Sequence, residues 1–364
     1  MRKRLLQSNT KNGPEVAADE KNGTDTKIRK FAVITGANRP SMGFQAAQIL
    51  ANAPFHYHVI LACRDAARGS AAEKEITSGA NDALATFVRL DLASMESIRR
   101  FCAQVDALVG PRGLSLLINN AGKGFVRKPT RRRYTTDGFE EILGVNYVGP
   151  FLLTTLMLPI LARTPGGEAR IVNVTSGLHD PTSAGNTGGS GKVPEILLPD
   201  AHVVNGEAFK SELMEKDLPP LKSKIQYCKS KLCNVMHCFE LQRRIRHRGL
   251  DIAVNCVCPG FVPDTGLSRD SGALAVCMMR FCLGKILPCV CGKKITRTVE
   301  DAAMSQVLVA TDFAASGGGQ MFVYSRDHAL LPCKSSLESR DEEKARRLYD
   351  ATAEMLHLSD ALNF

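Results

Sequence analysis

Tyr227 and Lys231 stand four positions apart in YCKSK, inside a stretch over 226–246 whose pattern predicts a helix, so the phenol and the amine share one helix face. That pairing suits proton transfer to a carbonyl. Carbonyl reduction takes a hydride on one side and a proton for the developing alkoxide on the other, and a phenol is able to give that proton. A free phenol titrates near ~10. An ammonium about 4 Å away at an effective dielectric of about 20 contributes at most ~4 kcal/mol, or about three pKa units, so Lys231 is expected to lower the Tyr227 pKa. YxxxK alone also describes an ordinary helix-surface pair. Ser176 lifts it above that, because it follows the strand-like run RIVNVT and offers a hydroxyl to hold a carbonyl oxygen. Asn146, among the apolar residues of VNYVGPFLL, is costly to bury without partners.

These residues need a scaffold that gathers them, and the chain supplies short apolar runs alternating with helical segments. Strands are expected at 31–35, 57–62, 85–90, 115–119, 170–175 and 251–257. Helices are expected at 44–52, 66–78, 94–109 and 226–246, with another beginning near Val299. Strands separated by crossover helices form a parallel sheet covered on both faces, so the expected fold class is α/β, a doubly wound parallel sheet in a single domain over 30–358. Residues 1–29 are polar and mixed in charge and read as a flexible N-terminal tail; 359–364 form a C-terminal tail. The stretch 177–224 is too long and too rich in Gly, Ser and Pro for an ordinary connection, and reads as an insertion before the catalytic helix. A second irregular stretch, 262–294, lies past the carboxyl end of a strand, where open α/β sheets bind ligands, and is expected to be a substrate lid.

The first strand runs into Thr35-Gly36-Ala37-Asn38-Arg39-Pro40-Ser41-Met42-Gly43, and a helix follows. A glycine turn at that junction turns backbone amides and the helix dipole toward a pyrophosphate. Arg39 lies inside the loop and Arg64 follows the second strand, where the adenosine ribose of a dinucleotide belongs. Two guanidinium groups there suit a 2′-phosphate, which points to NADP(H) over NAD.

The ordered set TGANRPSMG, ACRD at 62–65, LDLAS at 90–94, NNAG at 119–122, VNYVGPFLL at 145–153, Ser176, YCKSK at 227–231 and Pro259-Gly260 resembles the short-chain dehydrogenase/reductase family over about residues 30–358. ACRD, DGFE at 137–140 and the tail RDEEKARRLYDATAEML resemble the branch with the retinol dehydrogenases and protochlorophyllide oxidoreductases. The resemblance implies a Rossmann sheet of about seven strands. It implies a catalytic tetrad in which Tyr227 is general acid in reduction and base in oxidation, and Ser176 orients the carbonyl. Lys231 tunes the phenol and binds the nicotinamide ribose, and Asn146 supports a water relay to Lys231. It further implies cofactor contacts from Gly36, Asn38, Arg39, Ser41, Met42, Gly43 and Arg64, and from Asp91 and Leu92 beside the adenine. Asn119, Ala121 and Gly122 are the expected cofactor wall, with Pro259, Gly260 and Thr265 near the nicotinamide. Two departures stand out: Ser41 takes the place of the usual middle glycine, where its Cβ is expected to push the pyrophosphate outward, and Asp264 takes the usual threonine position, with Thr265 one step later.

The net charge of +10 calls for an anionic partner such as a phosphorylated cofactor or an acidic membrane surface. Nucleic acid is not expected, because the basic residues carry no recognisable motif and few stacking aromatics. The twelve cysteines read mainly as buried small hydrophobes. Cys228, Cys233 and Cys238 recur every five residues, turning about 140° each time on a helix, which cannot gather them at a metal. The N-terminus has no apolar stretch of signal-peptide length, so the expected location is a reducing one, cytoplasmic or peripheral on an intracellular membrane. The stretch 273–287, rich in Leu, Met and Phe, fits an apolar alcohol or carbonyl (a retinoid, steroid or lipid) and is a candidate membrane-contacting face, with Arg127, Lys128, Arg131, Arg132 and Arg133 adding attraction to anionic lipid. Family likeness also makes a homo-oligomer an open expectation. The pigment reductases of this branch carry cysteine after the PG pair, and here that residue is Phe261, which counts against a protochlorophyllide reductase. The other alternative is a dinucleotide-binding regulator without turnover, prompted by the altered glycine loop and Asp264.

Overall fold

The run FAVIT forms strand β1 (Phe31–Thr35), and every one of its residues is buried, as expected of a strand with helices on both faces. Its alternation separates two cores. Phe31 and Val33 belong to one hydrophobic cluster, while Ala32 and Ile34 belong to the other. The computed structural model describes residues 29–79, 82–125, 132–183, 223–263, 296–324 and 329–358. The expected N- and C-terminal tails and the basic residues Arg127, Lys128 and Arg131 lie almost wholly or wholly outside these, as do most of the insertion and of the lid, including Asp264, Thr265 and the apolar stretch 273–287.

The chain continues through α1 (Met42–Ala51), β2 (His58–Cys63), α2 (Ala66–Gly79), β3 (Leu84–Arg89), α3 (Met95–Val109) and β4 (Leu116–Asn119). Next come α4 (Glu141–Ala162), β5 (Ala169–Val174), α5 (Ser223–His247) and β6 (Ile252–Cys258). The described chain closes with α6 (Val299–Thr311), β7 (Gln320–Tyr324), β8 (Leu330–Pro332) and α7 (Glu342–Met355). One sheet holds all eight strands in the order β3-β2-β1-β4-β5-β6-β7-β8. Every pairing is parallel except the last, in which β8 turns back against β7. The reversal of strand order between β1 and β4 creates a crevice at the carboxyl ends of those strands, the place where such sheets take ligands. The expected strands fall within a residue of those observed. The eighth strand exceeds the expected seven because β8, at three residues, is too short to announce itself by alternation.

Polar caps start the helices that matter for the site. Ser41 caps α1 by accepting from the Phe44 N–H at 3.0 Å, and Asp341 caps α7 from the Lys344 N–H at 2.9 Å. Helix α4 is unusual in passing through a π-helical turn, Gly144–Val148, around Asn146. It is the one helix among the described residues long and apolar enough to span a membrane, yet 78% of its most apolar window is buried, as a core helix requires. On the outer side, α7 packs over α4 and α5. Tyr349 lies 4.8 Å from the Phe151 ring, with the Arg244 guanidinium 4.1 Å over its face, and Arg244 pairs with Asp350 at 2.6 Å. Six of the eight described cysteines are buried, and no cluster among the described residues could hold a metal ion.

Candidate active site

Helix α5 brings Tyr227 and Lys231 onto one face, and the end of β5 brings Ser176 to them. Tyr227 is buried at 5% exposure, the Ser176 hydroxyl is near enough to its phenol to act on its pKa, and Lys231 Nζ lies 5.7 Å from the centre of the phenol ring. Phe125 meets that ring edge-on at 5.7 Å, giving the phenol an apolar wall. Lys231 is itself buried, and its Nζ donates to the Val174 carbonyl at 3.0 Å. Burial acts on both groups against their charged forms: it raises the Tyr227 pKa above its usual value and lowers that of Lys231 to about 8. The neighbouring Ser176 hydroxyl opposes the rise at Tyr227. The expected lowering of the phenol by Lys231 is therefore not what the structure shows: burial raises it, and Lys231 is not among the groups that act against the rise.

Asn146 joins the group from the π-helical turn. Its Oδ1 accepts from the Lys123 N–H at 2.6 Å, and its Nδ2 donates to the Lys123 carbonyl at 3.0 Å and to Ser230 Oγ at 3.0 Å. Ser230 Oγ in turn donates to the Tyr227 carbonyl at 2.7 Å. The buried amide thus ties the segment after β4 to the helical turn that carries the phenol, and the partners required by its burial are present.

The crevice beside this group has a volume of about 370 Å³ and is lined by Gly36 and Asn38, by Arg64, by Asp91 and Leu92, and by Ala121 and Gly122, all expected positions. Gly36 has φ +70°, and a Cβ there would approach the Ala121 Cα to 3.1 Å, so the turn at the end of β1 requires glycine. A Cβ on Gly122 would come 3.6 Å from Lys231 Nζ. Gly36 and Gly122 line the crevice at the strand switch with bare backbone, which suits close approach by a dinucleotide. Asp91 is held in place by its own neighbours, accepting from the Ala93 N–H at 3.0 Å while its N–H donates to Ser97 Oγ at 3.0 Å.

Other expected contacts have different surroundings. Ser41 does not line the crevice; besides capping α1, its hydroxyl donates to the Gly36 carbonyl at 2.9 Å and closes the loop internally. Gly43 packs tightly, since a Cβ would lie 2.5 Å from Asn120 Nδ2, and Met42 opens α1 beside it. Arg39 is exposed, pairs with Glu75 of α2 and lies 4.8 Å over the Phe44 ring, so its guanidinium is held toward the helices. The Asn119 side chain points into the core, donating to Thr154 Oγ1 at 2.9 Å and Asn173 Oδ1 at 2.8 Å, rather than forming a cofactor wall. Pro259 and Gly260 follow β6, with Gly260 at φ +82° and the Arg297 side chain where its Cβ would lie.

Several site residues were not legible beforehand. Asn120, the neighbour of Asn119, faces the glycine loop: its Nδ2 donates to the Thr35 carbonyl at 2.8 Å, and its Oδ1 accepts from Gln306 of α6 at 3.0 Å. Strand alternation predicts that two adjacent asparagines face opposite sides, but not which one faces the core. Arg68 lines the crevice and pairs with Asp65 at 2.9 Å. Lys123 and Arg133 flank the crevice and both contact Glu141, at 2.9 and 3.0 Å.

A doubly wound sheet with a Ser–Tyr–Lys group beside its switch crevice defines a Rossmann-type oxidoreductase. The chain belongs to the short-chain dehydrogenase/reductase family. Residues 30–188 match the family model described as short chain dehydrogenase. Human retinol dehydrogenase 13 is 33% identical over 331 residues, covering 90% of this chain and 85% of that one. Polyprenol dehydrogenase of Danio rerio is 32% identical over 298 residues, covering 81% and 78%, and protochlorophyllide reductase A of Oryza sativa subsp. japonica is 29% identical over 357 residues, covering 95% and 85%. Among solved structures, an uncharacterised protein from Mycobacterium paratuberculosis has a TM-score of 0.62 at 24% identity, covering 90% of this chain and 93% of that one. An NADPH-bound carbonyl reductase from chicken fatty liver has a TM-score of 0.55 at 21% identity, covering 84% and 98%.

Proposed function

We propose that this protein is an NADP(H)-dependent oxidoreductase that interconverts an alcohol with an aldehyde or ketone on an apolar substrate such as a retinoid, steroid or lipid. The observation that carries the reading is the buried Tyr227 phenol, with the Ser176 hydroxyl beside it and Lys231 behind its ring. When bound, the nicotinamide cofactor supplies or accepts the hydride. Gly36, Asn38, Ala121 and Gly122 hold it at the switch crevice, with Asp91 and Leu92 by the adenine. The exposed guanidinium of Arg64, with Arg68 nearby, favours a 2′-phosphate.

Ser176 donates to the carbonyl oxygen and orients it, and Tyr227 delivers the proton to that oxygen as negative charge develops there. With a pKa of about 8, Lys231 is mostly an ammonium at neutral pH and places a positive charge behind the phenol ring. Its second task is to hold the nicotinamide ribose. In oxidation the same groups run in reverse. An apolar substrate is favoured by the Phe125 wall beside the phenol, by Phe261 after the PG pair, and by likeness to relatives named for retinol and polyprenol.

The test is NADPH oxidation with all-trans-retinal and a panel of apolar ketones, alongside Tyr227→Phe. Turnover by the wild type and a loss of at least about 10³-fold in kcat on removing the proton donor, with NADPH still bound, is the expected result. Nucleotide binding without turnover of any carbonyl, and with no effect of Tyr227→Phe, would leave a dinucleotide-binding regulator instead.

A further inference from the structure

The peptide unit joining Ser176 to Gly177 is gripped along both edges. Its N–H donates to Cys258 Sγ, at the end of β6, at 3.1 Å. Its carbonyl accepts from the backbone N–H of His179 at 3.1 Å and from the same residue's imidazole Nδ1 at 2.8 Å. That imidazole is 2% exposed, and its other nitrogen, Nε2, meets the Ser336 N–H at 3.1 Å. A backbone N–H can only donate, so Nε2 is the acceptor and Nδ1 carries the hydrogen that reaches Ser176. Burial holds the ring below its usual pKa and so supports this neutral form.

Ser336 is an anchored partner. Ser339 donates from Oγ to the Ser336 carbonyl at 2.8 Å and from its N–H to Ser336 Oγ at 3.3 Å, in the turn that leads into α7. The route therefore runs from the C-terminal turn through His179 to the backbone of Ser176. The Ser176 hydroxyl, which also accepts from the Leu178 N–H at 3.2 Å, hangs from the residue whose peptide is gripped. A rotation of that peptide displaces the hydroxyl from the phenol.

We propose that His179 is a positioning residue for Ser176: it fixes one edge of the Ser176–Gly177 peptide while Cys258 fixes the other, and through Ser336 it makes the C-terminal turn part of the support of the active site. The role rests on Ser176 orienting the carbonyl as proposed above. The carbonyl of Ser176 keeps one donor, the His179 N–H, when the imidazole is removed, so what is lost there is orientation rather than the last hydrogen bond.

The experiment compares His179→Leu, His179→Asn and Cys258→Ala in the full-length protein. The readouts are steady-state kinetics with NADPH and all-trans-retinal, thermal unfolding, and amide hydrogen exchange followed by mass spectrometry. Asparagine keeps a donor near the Nδ1 position but cannot reach Ser336. His179→Leu is expected to lose about 10- to 100-fold in kcat, the scale of a displacement of about 1 Å at a reacting group, with the NADPH KM within about twofold. His179→Asn is expected to recover most of the lost kcat. In His179→Leu, exchange is expected to quicken in residues 174–182 and 333–340 together. An unchanged kcat in His179→Leu overturns the proposal, as does an equal loss in His179→Asn that tracks its loss of thermal stability. If His179→Leu does not fold, Cys258→Ala applies the same criterion to the other edge: a fall in kcat at unchanged NADPH KM supports the clamp, and no fall overturns it. If the wild type reduces no carbonyl, the functional reading fails by itself, and the exchange data decide the clamp: faster exchange in both segments keeps it, and unchanged exchange ends it.

Discussion

Replacing Lys231 by methionine is expected to make the folded protein more stable at neutral pH while removing its turnover. Lys231 is 4% exposed, and burial lowers its pKa from 10.5 to about 8. A gap of that size corresponds to about 3 kcal/mol, at ~1.4 kcal/mol per pKa unit. Between about pH 8 and 10.5 the unfolded chain holds a proton that the folded one has lost, so this group's contribution to stability rises with pH across that window. Below about pH 8 both states are protonated and the fold carries the full cost of the buried ammonium. Methionine fills a similar volume without charge. Against the gain stands the lost hydrogen bond to the Val174 carbonyl, about 1 kcal/mol. The net expectation is a gain of about 2 kcal/mol at pH 7 that has faded to about zero by pH 10. Urea unfolding of both proteins at the two pH values measures it, and titrating groups distant from Lys231 cancel in the difference. A variant less stable than wild type at pH 7, or a difference that does not move with pH, refutes the reasoning.

Two further outcomes are expected. Arg64→Ala, which removes an exposed guanidinium from the crevice, is expected to weaken NADPH binding by about tenfold, or ~1.4 kcal/mol, and to leave NADH binding nearly unchanged. Fluorescence titration with each nucleotide checks this, and equal losses for both would remove the argument for a 2′-phosphate. Ser41→Ala is expected to lower stability by about 1 kcal/mol through loss of the α1 cap, with NADPH affinity within about twofold of wild type. A large loss of affinity at unchanged stability would return Ser41 to the phosphate site.

The strands and most helices were readable because parallel strands buried on both faces appear as uninterrupted apolar runs: FAVIT, HVILAC and IAVNCVC all became strands. The Tyr227, Lys231, Ser176 and Asn146 set was also readable, and these four side chains gather in one place. What escaped depends on orientation. Ser41 follows the glycine loop whether its hydroxyl faces a ligand or caps its own helix, and Asn119 and Asn120 look alike until the pleat assigns one to the core. His179 lies only three residues beyond Ser176, yet its second partner, Ser336, is 157 positions away, and no local pattern joins them. The sign of the Tyr227 shift escaped for a related reason: spacing shows which charge is near, while burial depends on the entire fold.

The wide turn at Gly144–Val148 lets one continuous rod serve two masters. Each residue of an ordinary helix advances the side chains by about 100°, and a turn closed by longer-range bonds changes that phase midway. Ahead of it, Glu141 looks toward Lys123 and Arg133 at the mouth of the crevice; beyond it, Phe151 and Thr154 look into the packed interior. Asn146 sits at the change of phase and reaches both Lys123 and Ser230. Deleting a single residue there would restore a regular spiral but swing one half by roughly a quarter of a revolution, so the two surroundings could no longer be met at once.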